Sequence, residues 1–366
     1  MKTSALLFCV GICVVLATHT SSAQKVAVGN CRPHLVSYST ISAAVVAVAP
    51  NSTVLVCPGT YPEQVTITQP LTLKGVNGGT GGNPVITVPS GGLVNNPEEN
   101  YPAQLSVQGT HGVVFGPVNI ANLVVDGADS GFDCSTGILA GIAYWSASGS
   151  LANVEVRNQN PGGCGFGIAL NGDPWVVDTV NIRNSSIHNF DDIGILATSP
   201  GSTGFLVNFT SNWVASTSPS VQAGVAYLFT DGLAARNTIV LVSGIGLHLD
   251  NFYLGMTARE NTIIGSNAGI VSGTNEGGPT IINNSLFNNA TGIFISGLSA
   301  GAVVKSNAIV QSSIAAVDLD CSSDTTVEQN TIYGSPIGIA NVTSGDLVSR
   351  NTFYKVPTLT TACPTP

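Results

Sequence analysis

Paired carboxylates are the first residues in this sequence that could do chemistry. Asp191 and Asp192 are adjacent, with His188 just upstream and Arg183 before it. Two carboxyl groups, one protonated and one ionised, are the usual equipment for cleaving a glycosidic bond. An Asn-x-Asp-Asp-x-Gly segment is also an ordinary turn sequence. The pair is therefore a candidate acid–base site with a structural alternative.

A second candidate pair is His248 with Asp250, two positions apart in an alternating segment. Such spacing places both side chains on one face of a β-strand. Asp318 and Asp320 have the same spacing but belong to a later part of the chain, too distant to act on the same bond as the first pair. We count His248 and Asp250 with Asp191 and Asp192 as candidate catalytic residues.

A group of acidic residues offers a metal site. Asp126, Asp129 and Asp133 lie close together in sequence, near Asp173 and Asp178. Carboxylate oxygens are the ligands that calcium prefers. Solvated turn carboxylates are the alternative, because the spacing matches no dedicated calcium loop. Calcium is the only cofactor that the sequence suggests.

Aromatic side chains could bind a sugar by stacking on its ring. Trp145 and Trp175 are the leading candidates, with Asn171 as a polar partner. Trp213, Tyr144 and Tyr253 are further candidates. Some of these aromatics must fill the core, and the sequence does not separate the two groups.

A repeated phrase shows which elements must position these residues. An Asn followed by a small or β-branched residue and an apolar one returns at intervals of 21 to 25 residues, with a looser first copy, at Asn212, Asn237, Asn261, Asn284, Asn307, Asn330 and Asn351. Between the Asn copies a small residue precedes an apolar one, as at Gly244-Ile, Gly269-Ile, Gly292-Ile, Ala316-Val and Gly338-Ile. A period of this length is typical of a solenoid, whose repeats bury their apolar faces only against each other.

Apolar residues alternate within each repeat, as at Ile293 and Ile295 around Phe294. This period of two predicts strands, and no long apolar segment free of Gly predicts a helix of three turns. Each repeat is thus one coil of a parallel β-helix with two or three short strands. We expect the repeated Asn to adopt the left-handed conformation at a turn and to bond to its copies in neighbouring coils.

Stacked coils place equivalent outward residues in rows about 4.8 Å apart. Counting three residues beyond the apolar member of each small–apolar pair gives one row: Trp145, Asn171, Thr198, Leu228, His248, Gly273, Ser296 and Asp320.

With these repeats the chain resembles the right-handed parallel β-helix proteins of the pectate-lyase-like fold superfamily. The resemblance covers nearly all of the mature chain and implies an all-β, single-solenoid fold of roughly ten coils. The superfamily includes lyases, hydrolases, esterases, epimerases and proteins without catalysis, so the resemblance implies no single activity.

Two segments resemble parts of known enzyme families. The segment with Gly59, Tyr61 and Glu63 resembles the opening block of pectin methylesterases, but their later Asp-Phe-x-x-Gly and Gly-Arg-x-Trp motifs are absent. Polygalacturonase-like hydrolases use an Asp-Asp pair like Asp191-Asp192, but their Gly-His-Gly and Arg-x-Lys signatures are absent. Glu63 is better explained as a turn residue than as a catalyst.

The net charge narrows the choice of partners. The sequence has 11 basic and 20 acidic residues, a formal charge of −9, and charged residues make up 8% of the chain. An acidic surface repels nucleic acid and anionic membranes, and it disfavours a strongly anionic polymer unless calcium bridges the two. We expect no nucleic-acid partner, no membrane insertion and a monomer.

The cysteines indicate an oxidising compartment. Six cysteines follow residue 23, an even number that favours disulfides in an exported protein. Their proximity in sequence predicts the pairs Cys31–Cys57, Cys134–Cys164 and Cys321–Cys363. The sequence contains no Cys-x-x-Cys spacing, so we do not expect a zinc site.

The chain divides into two parts. Residues 1–23 have the charged start, apolar core and small-x-small end of a secretory signal, with cleavage after Ala23. Residues 24–366 form one β-helix domain, with an N-terminal cap at about 31–50, repeats at about 51–357 and a tail at 358–366. Thr40 predicts the N-cap of a short helix that covers the first coil.

These patterns favour a secreted or cell-surface protein that binds an extracellular polysaccharide. One alternative is a polysaccharide lyase or glycoside hydrolase acting on a pectin-like polymer. A structural stalk or adhesin is the other. The long, Ser/Thr/Asn-rich side face and the loops near residues 125–235 are where we expect the ligand to bind.

Overall fold

The computed structural model describes residues 22–364 except 78–81, 97–100, 201–203, 251–254, 274–277, 298 and 300. The predicted signal falls almost entirely outside the described residues, as does Tyr253. In the described part, no helix has the length and apolar character needed to cross a bilayer.

Three long sheets, here named A, B and C, run the length of the molecule. Sheet A comprises, in spatial order, Val36–Tyr38, Lys25–Val28, Ser52–Val56, Leu71–Gly75, Val118–Ala121, Gly149–Ala152, Thr179–Arg183, Phe205–Thr210, Thr230–Ala235, Met256–Arg259, Thr280–Ile282, Val303–Lys305, Thr326–Glu328 and Leu347–Ser349.

Sheets B and C complete each coil. Sheet B comprises Thr60–Pro62, Val85–Thr87, Val124–Asp126, Glu155–Arg157, Ser186–His188, Trp213–Ser216, Thr238–Leu241, Thr262–Ile264, Ser285–Phe287, Ala308–Val310, Thr331–Tyr333 and Thr352–Tyr354. Sheet C comprises Val65–Ile67, Ala103–Gln108, Leu139–Trp145, Gly165–Asn171, Ile193–Thr198, Ala223–Leu228, Ile245–Asp250, Ala268–Ser272, Thr291–Ile295, Ala315–Asp318, Ile337–Val342 and Thr358–Ala362.

The chain passes through the three sheets in turn, and each strand pairs in parallel with its equivalents one coil before and after. This is the expected parallel β-helix. Sheets B and C have twelve strands each in the described residues, or about twelve coils where the sequence indicated roughly ten. The last strand of sheet C, Thr358–Ala362, lies in the segment expected as a tail.

The alternation of inward and outward side chains along each strand produces the core. In strand Thr291–Ile295, Ile293 and Ile295 are fully buried, whereas Phe294 points outward and is half-buried. The inward residues of all three sheets form one continuous apolar cluster along the axis. Each coil thus buries its apolar side chains mainly against the coils above and below.

A ladder of buried Asn side chains joins the later coils at the turn between sheets A and B. Oδ1 of Asn284 accepts hydrogen bonds from the backbone N–H of Asn261 (3.0 Å) and from its Nδ2 (3.0 Å). Nδ2 of Asn284 donates to Oδ1 of Asn307 (3.0 Å) and to the backbone oxygen of Ala258 (3.0 Å). The pattern repeats from Asn212 to Asn351. The predicted bonding between coils is confirmed.

The left-handed residue of this turn is not the ladder Asn. It is the residue before it, with φ of 57° at Glu260, 55° at Asn283 and 53° at Ser306. The ladder Asn points its side chain inward and is buried, and the sharp backbone bend falls on its exposed neighbour. The sequence expectation for the Asn backbone was wrong for this reason.

A column of small residues in sheet C sets the register. A Cβ on Gly167 would lie 2.4 Å from Cγ2 of Ile187 and 2.5 Å from the carbonyl oxygen of Gly194, so a side chain does not fit there. In strand Ile245–Asp250 the residue in this column is Gly246, not Gly244, because Leu247 pairs with Val225 and Ile270. The predicted outward row is therefore wrong at His248: Asp250, not His248, continues the row of Trp145, Asn171, Thr198 and Leu228.

The first coil is closed by the helix Ile41–Ala47, as expected, with Oγ1 of Thr40 accepting from the N–H of Ala43 (3.1 Å). Ile41, Ala44 and Val45 are buried against the coil. The carboxylate of Glu63 accepts from the N–H groups of Ile41 and Ser42, both at 2.9 Å. Glu63 thus holds the exposed N–H groups at the helix start, where a negative charge is favourable.

All three predicted disulfides are confirmed. Cys31–Cys57 joins the N-terminal cap to the first coil, Cys134–Cys164 joins two successive loops, and Cys321–Cys363 anchors the last strand.

We predict that Asn284→Ala lowers the free energy of unfolding by roughly 3 kcal/mol, because it leaves the buried N–H of Asn261 without an acceptor and removes one of the two acceptors of its Nδ2. Chemical denaturation followed by circular dichroism measures the loss. Asn267→Ala is the matched control, since Asn267 is exposed and, among the described residues, bonds only through its backbone. Equal losses in the two variants would contradict the role of the ladder.

Candidate functional site

Three aromatic rings, His111, Trp145 and Trp175, meet at the edge between sheets C and A. The His111 ring lies edge-on to both indoles, with centroid distances of 5.5 Å to Trp145 and 6.0 Å to Trp175. Trp175 is 70% exposed, and the His111 side chain is 40% exposed. We call these three residues the aromatic cluster.

Two loops and one strand bring the cluster together. Trp145 ends the strand Leu139–Trp145, where Ser146 turns the chain with φ of 45°. His111 lies in the loop 109–117 and Trp175 in the loop 172–178, each joining a strand of sheet C to one of sheet A.

A buried carboxylate fixes the two loops to each other. Oδ2 of Asp173 accepts from the N–H of Gly112 (2.8 Å), and Oδ1 accepts from those of Trp175 (2.7 Å) and Val176 (3.1 Å). Burial alone would raise the pKa of Asp173, but these three N–H donors and the nearby His111 hold it below its ordinary value. Asp173 is therefore an ionised anchor for the cluster.

Both ring nitrogens of His111 are engaged. Trp145 donates from Nε1 to Nε2 of His111 (3.3 Å), which assigns the proton of a neutral ring to Nδ1. Nδ1 faces Oδ2 of Asp173 (3.3 Å) and Oγ of Ser146 (3.2 Å). This arrangement holds the ring in place and leaves neither nitrogen unpaired for proton transfer to a ligand.

Polar groups continue the site along sheet C. Asn171 pairs in register with Trp145 and donates from Nδ2 to the hydroxyl of Tyr101 (2.9 Å). The three predicted ligand-binding residues, Trp145, Asn171 and Trp175, thus lie in one region. His111 and Tyr101 were not predicted, because they lie in residues 77–118, where the repeat is irregular and gives no register.

Two other aromatic candidates, Tyr144 and Trp213, differ in burial and lie outside the cluster. Tyr144 is fully buried and donates its hydroxyl to the carbonyl oxygen of Val118 (2.9 Å). Trp213 is 42% exposed but lies on sheet B, beside His188 at 5.5 Å.

Asp191 and Asp192 lie at a corner between sheets B and C, and both are buried. Oδ2 of Asp191 accepts from the N–H groups of Gly162 (2.6 Å) and Gly163 (2.7 Å), and Oδ1 accepts from that of Gly165 (2.7 Å). Asp191 thus holds the glycine-rich segment that leads into the strand Gly165–Asn171 in the preceding coil, and its oxygens face backbone N–H groups.

Asp192 has a different environment. Burial raises its pKa to about 6, the neighbouring charge of Asp191 adds to the rise, and a hydrogen bond from Gln222 opposes it. Oδ1 of Asp192 is inaccessible and has no hydrogen-bond partner among the described residues. The two carboxylates are adjacent, and both are buried.

His248 and Asp250 lie on the outward face of one strand of sheet C, in neighbouring rows. Burial lowers the pKa of His248, although the charge of Asp250 opposes the change. Oδ1 of Asp250 is buried and has no hydrogen-bond partner in the described part of the chain.

The predicted calcium ligands are engaged separately. Asp126 accepts from Nε of Arg157 (2.8 Å) and from Nδ2 of Asn158 (2.8 Å), and Asp133 caps a short 3-10 helix through Ser135 (2.9 Å). Asp126 and Asp129 line one open groove of about 630 Å³, which Asp133 does not reach. Among the described residues, no three His, Cys, Asp or Glu side chains are grouped as a metal site.

The later part of the chain matches a known protein family. Residues 202–358 match the family described as periplasmic copper-binding protein (NosD). No curated protein matches the sequence significantly.

Solved structures share the fold at low sequence identity. A GH136 lacto-N-biosidase from Eubacterium ramulus is 10% identical with a TM-score of 0.63, covering 90% of this chain and 68% of its own. A DFA-IIIase from Arthrobacter chlorophenolicus A6 is 13% identical with a TM-score of 0.61, covering 94% of this chain and 100% of its own. The A-module of the Azotobacter vinelandii mannuronan C-5 epimerase AlgE6 is 18% identical with a TM-score of 0.54, covering 87% and 90%. At these identities the likeness shows the fold alone.

We predict that Asp192→Asn stabilises the protein at neutral pH. Because the folded-state pKa is raised, the folded protein binds this proton more tightly than the unfolded chain, and stability falls as pH rises from about 4 to about 6. A rise of about two pH units corresponds to up to about 3 kcal/mol. The variant should gain that much at pH 7, gain nothing at pH 4, and show a flatter profile in denaturation measured across this range.

Asp191→Asn is the contrasting variant. It should destabilise the protein at pH 7, because an amide nitrogen would face backbone N–H donors. A gain at pH 4 as large as at pH 7 in Asp192→Asn would contradict the assigned titration.

Proposed function

We propose that this right-handed parallel β-helix protein of the pectate-lyase-like fold binds an extracellular polysaccharide at the aromatic cluster. The observation that carries the proposal is the His111 ring held between two indoles, one of them 70% exposed. Rigid aromatic surfaces bind the apolar faces of sugar rings at little entropic cost.

Polar groups beside the cluster would bind the hydroxyl edges of the sugar. Asn171 lies in the same row as Trp145, and the hydroxyl of Tyr101 lies next to it, bonded to the Asn171 amide. A few convergent polar groups beside an apolar surface are typical of ligand sites. The anchoring of both loops by Asp173 supports binding further, because a preorganised site loses less entropy on association.

Binding without turnover is favoured by the state of the carboxylates. Glycoside cleavage needs two carboxyl groups that reach the same bond from opposite sides. Asp173 and Asp191 instead accept three backbone hydrogen bonds each, and Asp192 is buried. These contacts support structural roles for the three acids.

The compartment is inferred from two observations. The three disulfides are typical of extracellular or periplasmic proteins, and the matched family is described as periplasmic. We propose secretion through residues 1–23.

We do not extend copper binding to this chain, because the matched segment has one histidine, His248, one methionine, Met256, and one cysteine, Cys321, which is in a disulfide. That is too few of the nitrogen and sulfur ligands that copper prefers.

We predict that Trp175→Ala weakens polysaccharide binding by roughly thirtyfold, or about 2 kcal/mol, because the most exposed stacking surface of the cluster is lost. Affinity electrophoresis against a panel of neutral and acidic plant and algal polysaccharides would find the polymer. Isothermal titration with an oligosaccharide of that polymer would measure the change.

Trp213→Ala is the matched control, because Trp213 is partly exposed but lies on sheet B. It should bind within about twofold of the wild type. Absence of binding to every polymer would overturn the proposal and favour a structural stalk or adhesin. Equal losses in both variants would place the ligand elsewhere.

Cleavage of a polysaccharide is the second candidate function. It is favoured by the position of His248 beside Asp250 on the outward face of sheet C, because burial lowers the pKa of His248 and so favours the neutral form that a general base needs. If this pair acts on a bound polymer, incubation with pectins, alginate and neutral glycans should yield new reducing ends or absorbance at 235 nm.

Asp250→Asn should then abolish the product signal, and Asp318→Asn, in another strand of sheet C, should retain it. A panel without products from the wild type would exclude this second candidate and leave the binding proposal intact.

A further inference from the structure

Four cations lie on one face of the molecule without an ion pair. Lys25, Arg32, Lys74 and Arg183 are exposed, and none of them is within salt-bridge distance of an acidic group among the described residues. By contrast, Arg157, Arg259 and Lys305 are paired with Glu155, Glu260 and Glu328. We call the four unpaired residues the basic face.

Three of these cations converge on one groove. Lys25, Arg32 and Lys74 line an open groove of about 840 Å³ on the outside of sheet A, together with the hydroxyls of Thr53 and Thr72. Lys25 pairs in register with Thr53, which pairs with Thr72, so ammonium and hydroxyl groups form one row. The disulfide Cys31–Cys57 fixes the segment that carries Arg32 beside this row.

The face continues toward Arg183. The row proceeds from Thr72 to Asn119, Ser150, Asn181 and Asn208, whose side chains bond in pairs, as Ser150 does to Asn119 (2.6 Å). These residues line a second groove of about 920 Å³, which contains Arg183 and is walled by Phe115. The two grooves are successive parts of the same side of sheet A.

Acidic residues are missing from these strands. No Asp or Glu occurs in Lys25–Val28, Ser52–Val56, Leu71–Gly75, Val118–Ala121, Gly149–Ala152, Thr179–Arg183 or Phe205–Thr210. The chain as a whole has 20 acidic and 11 basic residues. The two signs of charge are therefore segregated, and the first half of sheet A is basic in an acidic protein.

We infer that this side of sheet A binds an extended anionic polysaccharide, whose sulfate or carboxylate groups contact the basic face. Lys25 and Lys74 are two coils apart, and Lys74 and Arg183 are three coils apart, so the cations span about 24 Å along the axis. A polymer lying along the axis would meet ammonium or guanidinium groups at intervals and amide and hydroxyl groups between them. Exposed cations without partners have no internal ion pair to give up on binding.

The spacing favours a glycan over nucleic acid. Nucleic acid carries a phosphate on every nucleotide, and its binding depends on neutralising many of them at once. Four cations over about 24 Å, in a molecule of formal charge −9, suit a chain with fewer charges and many hydroxyls.

The test uses the double variant Lys25→Gln/Lys74→Gln of the full protein. Probes for isothermal titration at low salt are dextran sulfate, polygalacturonate, uncharged dextran and a short DNA duplex. The wild type should bind one or both anionic glycans but not dextran, and the double variant should lose about tenfold or more in affinity. The dextran sulfate and polygalacturonate titrations distinguish sulfate from carboxylate recognition.

Lys305→Gln is the matched control, because Lys305 occupies the same outward row as Lys74 but is bonded to Glu328. It should change affinity by less than about twofold. An equal loss in this control would show a general charge effect and overturn the assignment, as would wild-type binding to neither anionic glycan or tighter binding to the DNA. Because the double variant and its control change only residues of sheet A, the inference stands or fails separately from the aromatic cluster.

Discussion

The buried Asn ladder is the interaction on which the later coils depend. An Asn side chain enclosed by protein must find partners for its oxygen and both amide hydrogens. Here those partners exist only when the next coil is in register, since Asn284 bonds to Asn261 on one side and Asn307 on the other. The ladder therefore ties local turn geometry to the stacking of the whole solenoid. A shift of one residue in any strand would leave several buried amides unpaired.

Much of this order could be predicted from sequence because it recurs. The alternation of Ile293 and Ile295 and the repeated Asn both give the fold and the location of the turns. The predicted register was wrong at Gly244 because two small residues, Gly244 and Gly246, both precede an apolar residue. Only packing decides which of them lies in the column of small residues. Gly246 lies in the column where a Cβ would lie 2.4 Å from Cγ2 of Ile263, a contact between coils that no single repeat reveals.

The candidate site was harder to predict because its residues come from irregular segments. Trp145 and Asn171 belong to strands, so their neighbourhood followed from the repeat. His111 lies in a loop held by the Asp173 carboxylate, and that contact joins positions 61 residues apart. The same limit applies to Asp191, whose three backbone bonds turn an apparent catalytic pair into a loop anchor. Residue type shows that a carboxylate is present, but only tertiary structure shows which donors it faces.

Net charge, like residue type, does not by itself predict a binding site. It sums the charges of all surfaces, whereas a ligand contacts only one of them. A formal charge of −9 disfavours an anionic partner only if the charges are mixed. On this molecule Glu155 and Asp126 lie on sheet B with Arg157, whereas Lys25 and Lys74 lie on sheet A in a groove whose described lining contains no acid. Exposed charges more than about 10 Å apart are largely screened at ordinary salt, so the acids of one sheet scarcely weaken the field over another. In a β-helix each side is a separate electrostatic surface, because the same position in successive coils repeats along one sheet. The potential that a polymer meets is therefore that of the side on which it lies.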